Sequence, residues 1–198
     1  MTLLPLFLDL NAKQVLLVGG GSVAQAKLRP LIPTGATLRA VAIRFSEAFR
    51  QEAESHGVQL LERPFEPGDL NGIHLVVSAT NDPEANAHVA AQARSRGIWI
   101  NAVDDPASCD ALFASTLRRG PFTLAISTEG AFAGLSRALR LALEDLIPEA
   151  DPDLDALLEL RHQAKRLPLE VRSRALQKLL AEFRSTYFPQ PETPRSSR

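Results

Sequence analysis

The chain has 198 residues, 45% of them hydrophobic and 23% charged, and its 22 lysines and arginines nearly balance 23 aspartates and glutamates for a net charge of −1. This is the composition of a globular protein with one domain and an appendage, or two small domains, and it excludes a collagen-like, coiled-coil or wholly disordered chain. Without a concentrated basic face there is no electrostatic case for nucleic-acid binding.

Residues 1–113 carry 9 basic and 12 acidic groups and residues 114–198 carry 13 and 11, so the second half suits an anionic ligand better than a duplex. The lone Cys109 cannot close an internal disulfide, and no C-x-x-C or His-x-x-x-His spacing offers a zinc site. His56, His74, His88 and His162 are scattered, which gives no support to a metal centre. A reducing, cytoplasmic setting is expected.

In chain order, the apolar start Leu3 to Leu10 lacks a basic flank, contains Asp9 and is too short to cross a bilayer, so it reads as a strand and not a membrane anchor. Val15 to Val18 is a continuous apolar run ending in Gly19-Gly20-Gly21, the pattern of a strand buried on both faces. Further runs at Leu38 to Ile43, Val58 to Leu61, His74 to Ser78 and Ile98 to Ile100 predict more strands. Helical stretches lie between them. The clearest is Asp82 to Arg96, with Asp82 as cap, Pro83 at the first helical position and a small-residue face of Ala87, Ala90, Ala91 and Ala93. Such alternation predicts a parallel sheet with right-handed crossovers.

After residue 113 the pattern changes. Leu112 to Leu117 and Phe122 to Ser127 flank Arg118-Arg119-Gly120-Pro121 and read as two strands joined by a tight turn. Leu135, Leu139, Leu143 and Leu146 recur at helical spacing and stop before Pro148. Asp151-Pro152 starts another predicted helix with Leu154, Leu157, Leu158 and Arg161 on one face. A last one spans about Glu170 to Arg184, with Leu176, Leu179, Leu180 and Phe183 as its buried side. The tail from Pro189 is expected to be disordered.

Gly19-Gly20-Gly21-Ser22-Val23-Ala24 fits G-x-G-x-x-A directly after a strand. In that motif the first glycine makes the turn, the next lets backbone approach a pyrophosphate, and the last small residue packs helix on strand. Strand, turn, helix and second strand follow in order within about thirty residues, as a dinucleotide site requires. Two features depart from the pattern. No acid stands at the end of the second strand, where Val41-Ala42-Ile43 is followed by Arg44, a cation placed to face a 2′-phosphate or simply solvated. Pro30 and Pro33 also interrupt the helix after the turn and predict a short one.

Leu4-Pro5-Leu6-Phe7-Leu8-Asp9-Leu10, Val18 to Ala24, Arg63-Pro64-Phe65, Ser78-Ala79-Thr80-Asn81-Asp82, Asn101-Ala102-Val103-Asp104-Asp105 and Ala125-Ile126-Ser127-Thr128 resemble, in order and spacing, the siroheme synthase N-terminal module. That family comprises precorrin-2 dehydrogenases, some of which are also sirohydrochlorin ferrochelatases. The resemblance covers residues 3–147. It implies NAD as cofactor, precorrin-2 and sirohydrochlorin as tetrapyrrole substrate and product, ferrous ion as co-substrate where chelation occurs, and a homodimer. The architecture it implies is a Rossmann-type parallel sheet over residues 1–113, a small α+β dimerisation region over 114–147 and a helical C-terminal domain over 148–188, before the 189–198 tail.

By that resemblance Asp104 is the catalytic acid/base, and Asp105 is left to a turn. The cofactor contacts fall on Gly19, Gly21, Ser22 and Val23 at the turn, on Ile43 and Arg44 at the second strand, and on Thr80 and Asn81 at the fourth; a capping role competes for the last two. Substrate carboxylates suit guanidinium forks. Arg118, Arg119 and Arg137 are the candidates, with Thr128 beside them, whereas Arg161, Lys165 and Arg166 read as solvated charges. The family often reads Ser-Ser/Thr-Gly-Gly and then Ser-Pro before its helix, whereas this chain has Ser127-Thr128-Glu129-Gly130 and then Phe132-Ala133. Two other readings stay open: a catalytically silent dinucleotide-binding regulator of the same fold, and an NADP reductase suggested by Arg44.

Overall fold

The computed structural model describes residues 3–120, 122–147, 149, 158–159, 162–163, 166 and 168–187. They fall in two compact units, one of residues 1–114 with 127–133, the other of 115–126 with 134–198.

The first unit is built on five parallel strands, β1 (Gln14–Val18), β2 (Thr37–Ala42), β3 (Gln59–Glu62), β4 (Leu75–Ser78) and β5 (Trp99–Ala102), in spatial order β3-β2-β1-β4-β5. Helices α1 (Ser22–Leu28), α2 (Glu47–Ser55) and α3 (Pro83–Arg94) make crossovers. The period of two along a strand explains why β1 reads as an unbroken apolar run. Val15 and Leu17 enter one core with Leu28, Ala40, Phe49 and Val77, while Leu16 and Val18 enter the other with Val41, Val76, Val89 and Ile100. The small residues Ala24 and Ala93 are fully buried, which lets α1 and α3 sit close to the sheet.

Helix α1 ends at Leu28, two residues before Pro30, as the prolines required. Asp82 caps α3 by accepting from Glu84 N at 2.9 Å and Ala85 N at 3.3 Å. Its buried face is Asn86, Val89, Ala90 and Ala93; Ala87 and Ala91 of the expected face are exposed. Alanines alone do not mark a stripe, because their small side chains are tolerated on either side of a helix.

Several expectations are corrected. Residues 3–10 form no strand: Leu4, Leu6, Phe7 and Leu8 are exposed and Pro5 lacks the N–H a ladder needs. Strand β2 stops at Ala42, leaving Ile43 exposed beyond it, and β5 runs on to Ala102, so that Asn101 belongs to the sheet. The hairpin strand starts at Ser115, because Ala111 and Phe113 pack against one core and Leu112 against the other.

Between β3 and β4, Asp69 is buried and takes a bidentate hydrogen bond from Arg63, Nη1 to Oδ2 at 2.9 Å and Nη2 to Oδ1 at 2.5 Å, plus Glu66 N at 2.9 Å. Burial pushes the Asp69 carboxyl up, but the Arg63 and Glu66 hydrogen bonds outweigh it and hold the group below its ordinary value. A depressed folded-state pKa contributes stability that is present above the unfolded value of about 3.9 and is lost as pH falls through the folded one. Asp69→Asn should therefore cost about 2 kcal/mol at neutral pH, or roughly 4–8 °C in Tm. In thermal melts the gap from wild type should close as pH falls below the ordinary aspartate range. A gap that persists there would remove the ion pair from the account.

The second unit contains the antiparallel hairpin β6 (Ser115–Arg119) and β7 (Phe122–Ile126), with Arg119 opposite Phe122, then α4 (Ala133–Leu146) and α5 (Leu169–Tyr187). Leu117 is buried, and Arg140 pairs with Glu144 one turn along α4. Leu135, Leu139 and Leu146 are exposed, as is Leu180 of α5, which was expected on a buried side. Helical spacing determines which residues share a face, not what covers it. The expected helix from Asp151, with Leu154, Leu157, Arg161 and Lys165, lies outside the described residues, as do the side chains of Leu176, Leu179 and Phe183 and the tail from Pro189.

Candidate dinucleotide and acid site

Strand register gathers the candidate residues at one edge. Val18 pairs with Val41 and with Ser78, and Ser78 with Ala102, so β1, β2, β4 and β5 end level. The chain leaving them carries Gly19 to Val23, Ile43-Arg44, Thr80-Asn81 and Asp104 to the carboxyl edge of the sheet, around the β1/β4 switch point where ligands of open α/β sheets bind.

The three glycines of the turn have different reasons to be glycine. Gly19 has φ +131°, and a Cβ there would lie 2.3 Å from the Ala79 carbonyl oxygen. Gly20 would place one 2.4 Å from the Arg44 carbonyl oxygen. The protein's own packing forbids side chains at both. Gly21 has φ −94° and ψ −170°, which any residue adopts, and a Cβ there meets nothing within 4 Å. Folding does not need glycine at this position, whereas a ligand pressed against the backbone would. Gly21 is also the N-cap of α1 and supplies no side-chain hydrogen bond, so the first N–H groups of the helix receive no side-chain cap from it. Ser22 and Val23 are exposed beside it.

Ile43 and Arg44 are exposed at the end of β2, and among the described residues the Arg44 side chain has no hydrogen bond or ion pair. Thr80 is occupied by structure: its hydroxyl accepts from Asp82 N at 3.2 Å, and its N–H donates to Asn86 Oδ1 at 3.1 Å. Buried Asn86 also accepts from Ser78 Oγ at 2.7 Å and donates to the Thr80 carbonyl at 3.1 Å. Sequence reading missed this hub. Its signal was a polar residue on the same helical stripe as Ala90 and Ala93. Asn81 is exposed.

Asp104 has φ +63°, a left-handed conformation outside glycine that is uncommon and concentrated at functional sites. It is exposed, and among the described residues its carboxylate accepts no hydrogen bond. Asp105 takes the turn role, accepting from Ser108 N at 3.3 Å as the cap of a short 3₁₀ turn at Pro106–Ser108. Gly130 lies against Pro106, so the 127–133 segment borders the Asp104 loop. In that segment Thr128 Oγ1 accepts from Phe132 N at 3.0 Å, and Glu129 accepts from Leu3 N at 3.2 Å. The departure at Glu129 thus ties down the N-terminal segment.

Cys109 is buried, and burial pushes its thiol up. It accepts from Ala102 N at 3.2 Å and stays a structural thiol. Lys27 of α1, which the sequence did not single out, sits half-buried with its ammonium 4.8 Å from the centre of the Phe113 ring. In the second unit Arg118 and Arg137 are exposed, and Arg119 donates through Nε to the Ile147 carbonyl at 3.2 Å.

The family described as "Putative NAD(P)-binding" matches residues 6–115. The chain belongs to that NAD(P)-binding family. The matched segment ends where the sheet and its carboxyl edge are complete. Siroheme synthases of Pseudomonas aeruginosa and Azotobacter vinelandii are each 39% identical to the chain over 175 residues, which is 88% of this chain and 38% of theirs. The chain therefore spans about two fifths of the length of these curated relatives. The solved structure of SirC, precorrin-2 dehydrogenase, is similar to it with a TM-score of 0.75 at 26% identity, over 93% of this chain and 92% of its own. Among the described residues no helix is long and apolar enough to cross a membrane.

Proposed function

We propose that this protein is an NAD-dependent dehydrogenase that oxidises precorrin-2 to sirohydrochlorin. The observation that carries the reading is Asp104, whose backbone is left-handed and whose carboxylate accepts no hydrogen bond among the described residues, at the same sheet edge as the open glycine turn. The names of the siroheme synthases and of SirC supply the substrate class. Precorrin-2 and NAD⁺ give sirohydrochlorin, NADH and one proton. Bound NAD supplies the hydride acceptor. The N–H groups at Gly21, Ser22 and Val23 would hold its pyrophosphate, Ile43 and Arg44 would flank the ribose, and Thr80 and Asn81 would border the nicotinamide side. The carboxylate of Asp104 takes the proton left by oxidation. Thr128 and the arginines Arg118, Arg119 and Arg137 have the chemistry to take tetrapyrrole carboxylates. Exposed Leu135, Leu139 and Leu146 on α4 fit a homodimer, which sedimentation should detect.

The test is anaerobic incubation with precorrin-2 and NAD, expected to form NADH and sirohydrochlorin in equal amounts. Bound cofactor without turnover would favour the silent regulator of the same fold. NADP bound at least tenfold more tightly than NAD, about 1.4 kcal/mol, would assign phosphate recognition to Arg44 and reverse the cofactor choice. Ferrous ion added after oxidation tests metal insertion, with iron as substrate and Asp104 taking pyrrole protons.

A further inference from the structure

We infer that Cys109 is a positioning residue for Asp104: its buried thiol ties Ala102 to Asp105, the two ends of the turn that carries Asp104, and so holds the carboxylate in the geometry from which it takes the proton. This rests on the dehydrogenase reading above.

Asp105 N donates to the Ala102 carbonyl at 3.4 Å and closes a turn over 102–105 whose third residue is Asp104, at φ +63°. Glycine or asparagine is the usual occupant of such a position, and another residue stays there only where surrounding contacts over-determine it. The thiol supplies those contacts at both ends. Cys109 Sγ accepts from Ala102 N at 3.2 Å, and its one S–H is shared between the carbonyls of Ala102 at 3.1 Å and Asp105 at 3.4 Å. Val103 N donates to the Ser78 carbonyl at 2.9 Å, which fixes the entry to the turn on β4.

The thiol is itself held in place. Cys109 N donates to the Pro106 carbonyl at 3.2 Å, and Asp110 N to the Ile100 carbonyl at 2.8 Å. Asn101 Nδ2 donates to the Ala111 carbonyl at 2.8 Å and points at Cys109 Sγ from 3.7 Å. Asn101 Oδ1 is left buried with no partner among the described residues. Turning the amide over would set that oxygen against the Ala111 carbonyl, so the loop stays closed at the cost of one orphaned acceptor. Burial keeps the thiol neutral, which suits a hydrogen-bonding post and not a nucleophile. Asp104 accepts the proton released on oxidation and returns it to solvent, while Cys109 keeps its own proton and touches no reacting atom.

The test compares Cys109→Ala, which removes donor and acceptor together, with Cys109→Ser, which restores both. Amide hydrogen exchange in the full chain should quicken at Asp105 by about fivefold in Cys109→Ala and stay as in wild type along β1 from Val15 to Leu17. Single-turnover oxidation of precorrin-2 should slow by roughly tenfold, with the NAD dissociation constant within about twofold of wild type. Cys109→Ser should recover most of both losses. Cys109→Val is the second variant without either hydrogen-bonding function, should Cys109→Ala fail to fold. Unchanged exchange at Asp105 in a folded variant overturns the inference. So does quickened exchange with undiminished oxidation, or a loss that Cys109→Ser does not recover. Exchange that quickens equally in β1 reduces the thiol to general stability and overturns it as well. If exchange at Asp105 responds but wild type does not oxidise precorrin-2, the tie across the turn stands and the dehydrogenase reading falls.

Discussion

Asp104→Asn should lower precorrin-2 oxidation by about 10²–10⁴-fold, the range of a lost general base, and leave NAD affinity unchanged. The substitution suits this site. Asparagine tolerates the left-handed backbone as aspartate does, so φ +63° is kept. The side chain makes no hydrogen bond among the described residues, so no folding contact is lost. Only the proton acceptor is removed. Asp105→Asn is the neighbouring control, because its cap to Ser108 N survives as an amide oxygen. Single-turnover kinetics with both variants would separate the roles. Near-normal oxidation in Asp104→Asn would assign that residue to the turn and leave catalysis to cofactor positioning. If metal insertion also occurs, it should fall together with oxidation.

The glycine turn offers a second large effect, in two contrasting variants. Gly21→Asp should abolish NAD binding while the protein stays folded. Its backbone conformation suits any residue, its Cβ meets nothing within 4 Å, and aspartate is a good N-cap. The carboxylate would occupy the pyrophosphate position with the wrong charge. Gly19→Ala should instead destabilise the fold, by about 3 kcal/mol, because its Cβ would lie 2.3 Å from the Ala79 carbonyl at φ +131°. Calorimetric titration and thermal melts on the pair test this directly. Retained NAD affinity in Gly21→Asp would sink the dinucleotide site.

The sequence by itself determined the elements whose cause is local. Val15 to Val18 before three glycines, Asp82-Pro83 opening α3, and Pro30 cutting α1 short each act through neighbouring residues, so propensity and spacing suffice. The motif pieces at Gly19 to Ala24 and Asn101 to Asp105 were legible for the same reason. Tertiary structure alone decided what these pieces meet. Residues 3–10 look like a strand but form none, because strand character depends on a partner edge. Leu112 and Phe113 were drawn from the hairpin into the two cores of the sheet. The difference between Gly19 and Gly21, identical in sequence, lies in the distance to Ala79, a residue brought near by β1/β4 pairing. Lys27 meets an aromatic ring only because the fold carries Phe113 to α1. Such contacts join residues far apart in the chain, and no local periodicity encodes them; they follow from strand order, register and the burial that fixes both.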